Sequence, residues 1–267
     1  MSTTKYIILA AACAAGLTAT AMPVQVRVVV ENLAPINSVS FAPLRVGFGN
    51  GTFDAFNQGQ AAFLLGNSDI ATAPIVTVAE GGSGSTWFPA FAAAEPNAVL
   101  GSVLPNPAGP LLPGATGSGI FTIDPSVNPF FTFAAMVVPS TDYFIGNDSP
   151  TAHRLFNPDG TLAITSINQL ASDIWNAGSE TENPLNGAFV QGGTNANRVN
   201  ENGVVEFDFD LASDFNGVTT GAGYVFDSQL VASTPVYRIS FSVVPEPSSI
   251  GVIGGLAILM LRRRTLA

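Results

Sequence analysis

Three segments of the chain have the hydrophobic pattern of β-strands. Residues 25–30 combine alternation with a fully apolar end, and residues 236–243 alternate between apolar and polar side chains. Residues 130–138 form a long apolar and aromatic run that ends at Pro139. These patterns predict an opening strand over 25–30, a central strand covered on both faces over 130–138, and a last strand over 236–243.

Residues 203–211 alternate with a period of two. One face of the predicted strand is apolar and the other is acidic; the two sets are Val205, Phe207, Phe209 and Leu211, and Glu206, Asp208 and Asp210. The acids offer paired carboxylates of the kind that hydrolyse a glycosidic bond. Their spacing, however, is more typical of the solvated face of a half-buried strand than of a catalytic pair.

Turn-forming residues separate the apolar segments. Clusters of Gly, Pro, Asn and Ser lie at residues 81–85, 105–119 and 192–202. Weaker patterns at residues 53–65 and 168–175 predict short helices. Many short strands with turn-rich connections and no repeat of fixed period predict an all-β fold, and within that class an antiparallel β-sandwich.

The N-terminal residues 1–21 have the pattern of an export signal. Lys5 provides the positive charge, residues 6–17 are apolar, and an Ala-x-Ala site predicts cleavage between Ala21 and Met22. A lipoprotein signal with Cys13 as the lipidated residue is the alternative, but the three alanines before Cys13 lack the usual large aliphatic residue. Cleavage after Ala21 removes the only cysteine, so the mature domain is expected to have no disulfide and no thiol chemistry.

Residues 245–267 combine a short polar motif, an apolar stretch and a basic end. The apolar stretch covers residues 250–261, and the motif and the basic end are Pro245, Glu246, Pro247, Arg262, Arg263 and Arg264. As a helix, the apolar stretch rises about 18 Å against a hydrocarbon core of about 30 Å, so it predicts a short transmembrane helix. The arginines favour a cytoplasmic C-terminus. An ordinary membrane anchor and a buried terminal helix are the alternatives.

This arrangement resembles the PEP-CTERM tail, which exosortases of Gram-negative bacteria process. The resemblance implies an exosortase as a partner, attachment to the membrane through the C-terminal helix before processing, and a final place in the cell envelope, on the cell surface or outside the cell. The chain is thus expected to consist of a signal peptide (1–21), one domain (22–244) and a sorting signal (245–267).

The central segment is strongly acidic. All nineteen acidic residues lie between Glu31 and Glu246, whereas only five basic residues, all arginines, fall within 22–244. This imbalance argues against nucleic acid as a partner, because phosphate binding requires clustered Lys and Arg. It favours attraction of cations such as Ca²⁺. The segment is long enough for one domain with its own core.

The sequence provides little support for catalysis. His153 is the only histidine, so a pair of histidines cannot bind a metal, and without a cysteine in the mature domain a Cys/His dyad is ruled out. A Ser-His-Asp triad remains open, because triads are recognised by geometry. Residues 82–86 lack the apolar strand that precedes a nucleophilic serine. We therefore predict a packed or surface role for His153 and a protein that is not an enzyme.

The domain resembles bacterial spondin-domain proteins. The resemblance is carried by residues 26–35, 46–54, 133–147 and 174–189, in particular by the run Met-Val-Val-Pro-Ser-Thr-Asp-Tyr-Phe-Ile-Gly and the run Asn-Ala-Gly-Ser-Glu. It implies a C2-like sandwich of two antiparallel sheets and, as in the F-spondin and mindin relatives, an extracellular-matrix adhesion module.

The same resemblance implies a calcium site with Asp142, Asn176 and Glu180 as ligands. The family has an aspartate where this chain has Asn176, and an amide oxygen carries one negative charge less than a carboxylate. The site is therefore expected to be either weak, filled by extracellular calcium, or vestigial. Other oxygen-bearing side chains close in sequence are possible substitutes, namely Asn147, Asp148, Asp173 and Glu182.

Three functions follow from these patterns. The first is an exported adhesion or structural module of a biofilm or exopolysaccharide matrix, with extracellular polysaccharide or a surface protein as its partner. The second is an extracellular hydrolase that acts on polysaccharide or protein, and the third is a Ca²⁺-dependent glycan or lipid binder. We expect the first.

Overall fold

The computed structural model describes residues 22–62, 73–194, 196 and 198–245. The predicted signal peptide and nearly all of the predicted sorting signal lie outside these ranges, including Ala21, Glu246, Pro247, Arg262, Arg263 and Arg264. Of the residues assigned to the two processing signals, only Met22 and Pro245 are described. Within the described ranges, no helix has the length and the apolar character needed to cross a membrane.

The described chain is mostly β-structure. Its strands are β1 (Val24–Asn32), β2 (Ser40–Phe41), β3 (Leu44–Gly49), β4 (Val99–Pro105), β5 (Thr116–Ile123), β6 (Phe130–Val138), β7 (Tyr143–Gly146), β8 (Ser166–Leu170), β9 (Trp175–Asn176), β10 (Glu206–Phe207) and β11 (Pro235–Val243). The helices are α1 (Pro74–Gly81) and α2 (Trp87–Ala94), with 3₁₀ turns at Ala171–Asp173 and Asp210–Phe215.

The strands form one continuous hydrogen-bonded path. Their order is β10-β9-β7-β6-β3-β4-β5-β1-β11-β8, with β2 paired to β6 beside this path. Every pairing between these strands is antiparallel. The all-β, antiparallel class predicted from the sequence is therefore confirmed.

Strand β6 lies at the centre of the fold because its two faces enter two different cores. Phe131, Phe133 and Ala135 point into the larger core, together with side chains of β1 and β11. Ala134 points into a smaller core that α1 and α2 cover. With both faces covered, apolar side chains can occupy nearly every position of the strand, as the sequence predicted.

The strand path curves around the larger core. Phe131 of β6 and Phe241 of β11 are separated by several strands in the path, yet their ring centroids are 4.8 Å apart. Phe41 of β2 and Tyr237 of β11 make a second such contact at 4.7 Å. These contacts bury aromatic surface between strands that lie far apart in the path, and they help to hold the path in its curved shape.

Helix α1 begins and ends with residues that favour helix termini. Pro74 occupies the first turn, where the missing backbone N–H costs no hydrogen bond. Gly82 follows the helix with φ of +58°, a left-handed conformation that suits glycine, and its N–H donates to the Val78 carbonyl at 2.8 Å. The helix thereby presents Glu80, in its last turn, to Ser179 in the loop that follows β9.

Some of the predicted elements are confirmed and others are wrong. Strands β1, β6 and β11 lie where the apolar patterns predicted them. No helix is present in residues 53–62, the described part of one predicted helix, and residues 168–175 form the end of β8, a 3₁₀ turn and the start of β9 instead of a helix.

The strand predicted over residues 203–211 is also wrong for most of its length. Only Glu206 and Phe207 are in a strand, and Asp210 begins a 3₁₀ turn. Val205 is fully buried whereas Phe207 is 46% exposed, so the apolar side chains do not form one buried face. Phe207 instead stacks on Trp175, with ring centroids 3.6 Å apart, and this local contact replaces burial in the core.

Candidate functional site

Pairing of β7 with β9 brings the two predicted ligand loops together. Asp142 immediately precedes β7, and Asn176 lies on β9 opposite Tyr143. The Ala177 N–H donates to the Asp142 carbonyl at 3.2 Å, which continues the pairing into the loops. Glu180 follows within the same loop. The three residues that the sequence predicted as ligands are thus neighbours in the fold.

Asp142 is completely buried and only one of its carboxylate oxygens is used. Oδ2 accepts hydrogen bonds from the Ser179 N–H at 2.7 Å, the Ser179 hydroxyl at 3.1 Å and the Glu180 N–H at 3.1 Å. Oδ1 is buried without a hydrogen-bond partner in the described chain. Burial raises the pKa of Asp142 to about 6, against the lowering effect of the bonds from Ser179 and Glu180.

Glu180 is equally buried, with 1% of its surface exposed. Its Oε1 has no hydrogen-bond partner in the described ranges, and its Oε2 lies 3.7 Å from Arg198 Nε. Burial raises the pKa of Glu180 to about 7, and repulsion from Glu80 adds to this rise, while Arg198 opposes it. A carboxyl with such a pKa is only partly ionised at neutral pH unless a cation approaches it.

Asn176 is buried, and its amide oxygen is already engaged. Oδ1 accepts a hydrogen bond from the Gly178 N–H at 2.6 Å, which holds the turn that leads to Ser179. Gly178 has φ of +61°, and a Cβ at this position would lie 2.6 Å from the backbone of Val204. The loop therefore depends on both residues for its shape.

Two further acids complete a group that we call the acidic cluster, formed by Asp142, Glu180, Glu182 and Glu80. Glu182 accepts a hydrogen bond from the Thr141 hydroxyl at 2.6 Å, its Oε2 is buried without a partner in the described chain, and burial raises its pKa to about 8. Glu80 accepts a hydrogen bond from the Ser179 hydroxyl at 2.9 Å. Glu182 was one of the predicted substitutes, whereas the sequence did not point to Glu80.

Arg198 is the cation of this region. Its Nε donates to Glu80 Oε2 at 2.6 Å, a second guanidinium nitrogen donates to Glu80 Oε1, and the same nitrogen donates to the Ser179 carbonyl at 3.2 Å. The hydrogen bond to Glu80 raises the pKa of Arg198 further above its ordinary value. Arg198 interacts with Glu80, Glu180 and Asp142, so its single positive charge does not neutralise the acidic cluster when all four carboxyl groups are ionised.

The other predicted substitutes lie elsewhere. Asn147 Oδ1 accepts from the Phe133 N–H at 2.9 Å, and Asp173 Oδ2 accepts from the Leu170 N–H at 2.8 Å. Together with Asp148, these residues line a separate cleft of about 280 Å³. None of them is brought to Asp142.

The acidic cluster contains hard oxygens of the kind that Ca²⁺ prefers. Asp142 Oδ1 and Glu180 Oε1 are buried acceptors without a donor in the described ranges, and a cation is one partner that would satisfy both. In residues 22–62, 73–194, 196 and 198–245, no group of three or more His, Cys, Asp or Glu side chains is arranged to bind a metal. A calcium site here would therefore rest on two carboxylates, with amide and backbone oxygens as its other ligands.

The candidate catalytic groups lie in different local surroundings in the described structure. The His153 ring lies 5.7 Å from the Phe133 ring and has no hydrogen bond to a hydroxyl or carboxylate of a described residue. Burial lowers the pKa of His153 below its ordinary value. Glu206 lies on β10, whereas the Asp210 N–H donates to Asp208 Oδ1 at 3.0 Å in a local turn.

Comparisons with known proteins leave this geometry as the main guide to function. Protein-family models gave no match to the chain, and neither did the curated proteins.

Proposed function

We propose that this chain is an exported, non-enzymatic binding domain that acts at the cell surface or in the extracellular matrix and binds Ca²⁺ in the acidic cluster. The domain is proposed to be a C2-like β-sandwich of the spondin type, and the contact between Phe131 and Phe241 across the larger core supports this. The polar loops at the ends of β7 and β9 would then form the cation-binding end of the domain.

One observation carries the calcium proposal. Asp142 Oδ1 and Glu180 Oε1 are buried acceptors that no described donor satisfies, and they belong to loops that the β7–β9 pairing brings together. An unsatisfied buried carboxylate oxygen lowers the free energy of unfolding by about 1–3 kcal/mol or more. The two oxygens therefore destabilise the calcium-free fold. Bound Ca²⁺ would remove this cost, with Asp142 and Glu180 as its anionic ligands.

We expect 10 mM CaCl₂ to raise the melting temperature by about 3–8 °C at pH 8. Extracellular calcium modules bind with dissociation constants of about 10⁻⁴–10⁻³ M, and a ligand bound only by the native state stabilises it by mass action. Differential scanning fluorimetry of the full chain, with and without a chelator, measures this shift.

Matched variants identify the ligands. Asp142→Asn and Glu180→Gln should each abolish the calcium shift, whereas Asp227→Asn, which removes an exposed acid outside the acidic cluster, should retain it. MgCl₂ at the same concentration should have a much smaller effect, because Mg²⁺ requires a regular octahedral site. A calcium shift that survives in Asp142→Asn would show that the ion binds elsewhere.

We also propose that an exosortase processes residues 245–267 and thereby sets the location of the domain. Replacing Pro245, Glu246 and Pro247 by alanine is expected to leave the protein uncut in the inner membrane, because the motif would be lost while the apolar stretch and the arginines remain. Cell fractionation and the intact mass of the released protein measure the outcome. Normal release of the triple variant would refute the sorting assignment.

A further inference from the structure

The strand path leaves a cleft between its two ends. The cleft has a volume of about 280 Å³ and is lined by side chains of β8, β9 and β10 and of the loop after β7, among them Asp148, His153, Gln169, Asp173, Trp175 and Phe207. Strands β8 and β10 are the first and last strands of the hydrogen-bonded path. The cleft is therefore located where the curved path does not close on itself, and it is distinct from the acidic cluster.

An exposed aromatic ring forms one wall of the cleft. Phe207 is 46% exposed, and no other Phe, Tyr or Trp side chain among those the structure describes is exposed to this extent. Its inner face stacks on Trp175 at 3.6 Å and 25°. The Trp175 indole N–H donates to the Gly146 carbonyl at 3.1 Å, which fixes the orientation of the stack. The outer face of Phe207 is thus a rigid, flat apolar surface at the mouth of the cleft.

Polar groups with unused hydrogen-bonding capacity line the same cleft. The carboxylate of Asp148 makes no hydrogen bond to a described residue, and Asp173 uses only Oδ2, which accepts from the Leu170 N–H. His153 and Gln169 add nitrogens to the lining, and burial lowers the pKa of His153 below its ordinary value. The lining therefore combines hydrogen-bond acceptors with donors.

We propose that this cleft binds a pyranose ring of an extracellular polysaccharide, with the apolar face of the sugar on Phe207 and its hydroxyl groups bonded to Asp148, Gln169 and Asp173. A sugar ring has an apolar C–H face and hydroxyls that both donate and accept, so it matches a flat aromatic wall and a mixed polar lining. The volume, just below the usual range for small-molecule sites, suits a single ring of a chain that continues into solvent.

Two other ligand classes fit the cleft less well. A quaternary ammonium group is bound by several aromatic faces that surround it, whereas Trp175 and Phe207 stack on each other and offer one outer face. A uronic acid would place its carboxylate beside Asp148 and Asp173, so like charges would oppose binding. Neutral hexoses and amino sugars are therefore the expected ligands, and the amino sugars gain from the negative charge. The inference deepens the proposed adhesive function and rests on it, because it names the class of partner.

The test measures binding of soluble hexasaccharides to the full chain by isothermal titration calorimetry and by the fluorescence of Trp175. The probes are the β-1,4-linked hexamers of glucose, N-acetylglucosamine and glucosamine, with hexaguluronate as the acidic comparison. We expect at least one of the first three to bind and hexaguluronate not to bind. If none of the first three binds at millimolar concentration, or if hexaguluronate binds best, the assignment is wrong.

Variants of the cleft separate ring stacking from general effects on the fold. Phe207→Ala should weaken binding at least about tenfold, Phe207→Trp should bind within about threefold of the parent chain, and Val225→Ala, an exposed residue outside the cleft, should bind normally. Asp148→Asn keeps the aromatic stack and should weaken glucosamine hexamer more than glucose hexamer. Unchanged binding in a folded Phe207→Ala protein would overturn the proposal, and so would unchanged binding in Asp148→Asn.

The same titrations distinguish this proposal from the calcium site. Because the cleft and the acidic cluster are separate, sugar binding should be equal in calcium and in chelator. Sugar binding without a calcium-induced melting shift would support the cleft and remove the calcium site from the proposed function. A calcium shift without binding of any neutral or amino hexamer would leave the calcium site in place and refute the cleft.

Discussion

Replacing Arg198 by methionine is expected to lower the free energy of unfolding by about 3 kcal/mol in calcium-free buffer at pH 8. The guanidinium is hydrogen-bonded to both oxygens of Glu80 and lies 3.7 Å from Glu180, and the side chains are only 15%, 10% and 1% exposed. Removing one partner of a buried ion pair leaves the other charge uncompensated. Chemical denaturation measures the loss, which corresponds to a fall of about 6–12 °C in melting temperature.

Two comparisons show whether the loss arises from uncompensated charge. Arg238→Met breaks the exposed pair with Glu31, whose side chains are 44% and 39% exposed, and should cost less than about 1 kcal/mol. The double variant Arg198→Met, Glu80→Gln should recover part of the lost stability, because the unpaired carboxylate is removed with its partner. If the double variant is as unstable as the single one, packing of the Arg198 stem is the larger effect.

Calcium should restore more stability to Arg198→Met than to the parent chain. In this variant the positive charge of Arg198 no longer offsets the repulsion between the carboxyl groups of the acidic cluster. A bound cation would therefore remove a larger repulsion than in the parent chain. A calcium shift of equal size in both proteins would place the ion away from Glu180. The calcium shift is thus expected to increase in Arg198→Met, whereas it is expected to disappear in Asp142→Asn.

The strands that could be predicted from sequence are those whose burial is decided by local pattern. β6 is apolar at almost every position because one face meets the larger core and the other meets the helices. From Tyr237 to Ser242, β11 alternates because one face packs on that core and the other is more exposed, whereas Val236 is also buried and Val243 is 46% exposed. In the middle of such strands the pattern of side chains matches the pattern of burial.

The elements that were missed depend on contacts with distant parts of the chain. α1 contains β-branched residues that do not favour a helix, yet Ile75, Val76 and Val78 are all buried in the smaller core. Tertiary packing therefore overrides local preference. For Phe207 the apolar pattern predicted burial in the core. Its stacking on Trp175 at the end of the strand path instead keeps the ring out of the core.

The acidic cluster could be predicted only in part for the same reason. Asp142, Asn176 and Glu180 lie in loops that one strand pairing joins, and they were proposed together because these loops resemble those of spondin-domain proteins. Glu80 reaches the cluster through contacts that span 99 residues to Ser179 and 118 residues to Arg198, whereas Arg198 contacts Ser179 across 19 residues, and no periodicity records either kind of contact. After burial, the charges of Glu80 and Arg198 are the largest influences on the pKa of Glu180, so the electrostatics of the cluster could be derived only from the fold.

The free energy of unfolding of the calcium-free protein is expected to fall by several kcal/mol between pH 5 and pH 8, because a shift of one pKa unit corresponds to about 1.4 kcal/mol. Burial raises the pKa of Asp142 to about 6, of Glu180 to about 7 and of Glu182 to about 8, so the native chain binds these protons more tightly than the unfolded chain. Stability from such a group is complete below its unfolded pKa near 4 and is lost as the pH rises through its folded value. Urea denaturation at a series of pH values measures the slope.

Glu182→Gln isolates one of these groups, because it keeps the hydrogen-bond acceptor for Thr141 and removes the titration. The variant should be more stable than the parent chain at pH 8 and nearly equal to it at pH 5, whereas Asp227→Asn should follow the parent chain at both. Protons and calcium compete for the same buried oxygens, so the calcium shift should be large at pH 8 and nearly absent at pH 5. A calcium shift that is independent of pH would mean that the ion is not bound by the carboxyl groups with raised pKa values. The acidic cluster would then be a group of buried carboxyl groups that does not bind calcium.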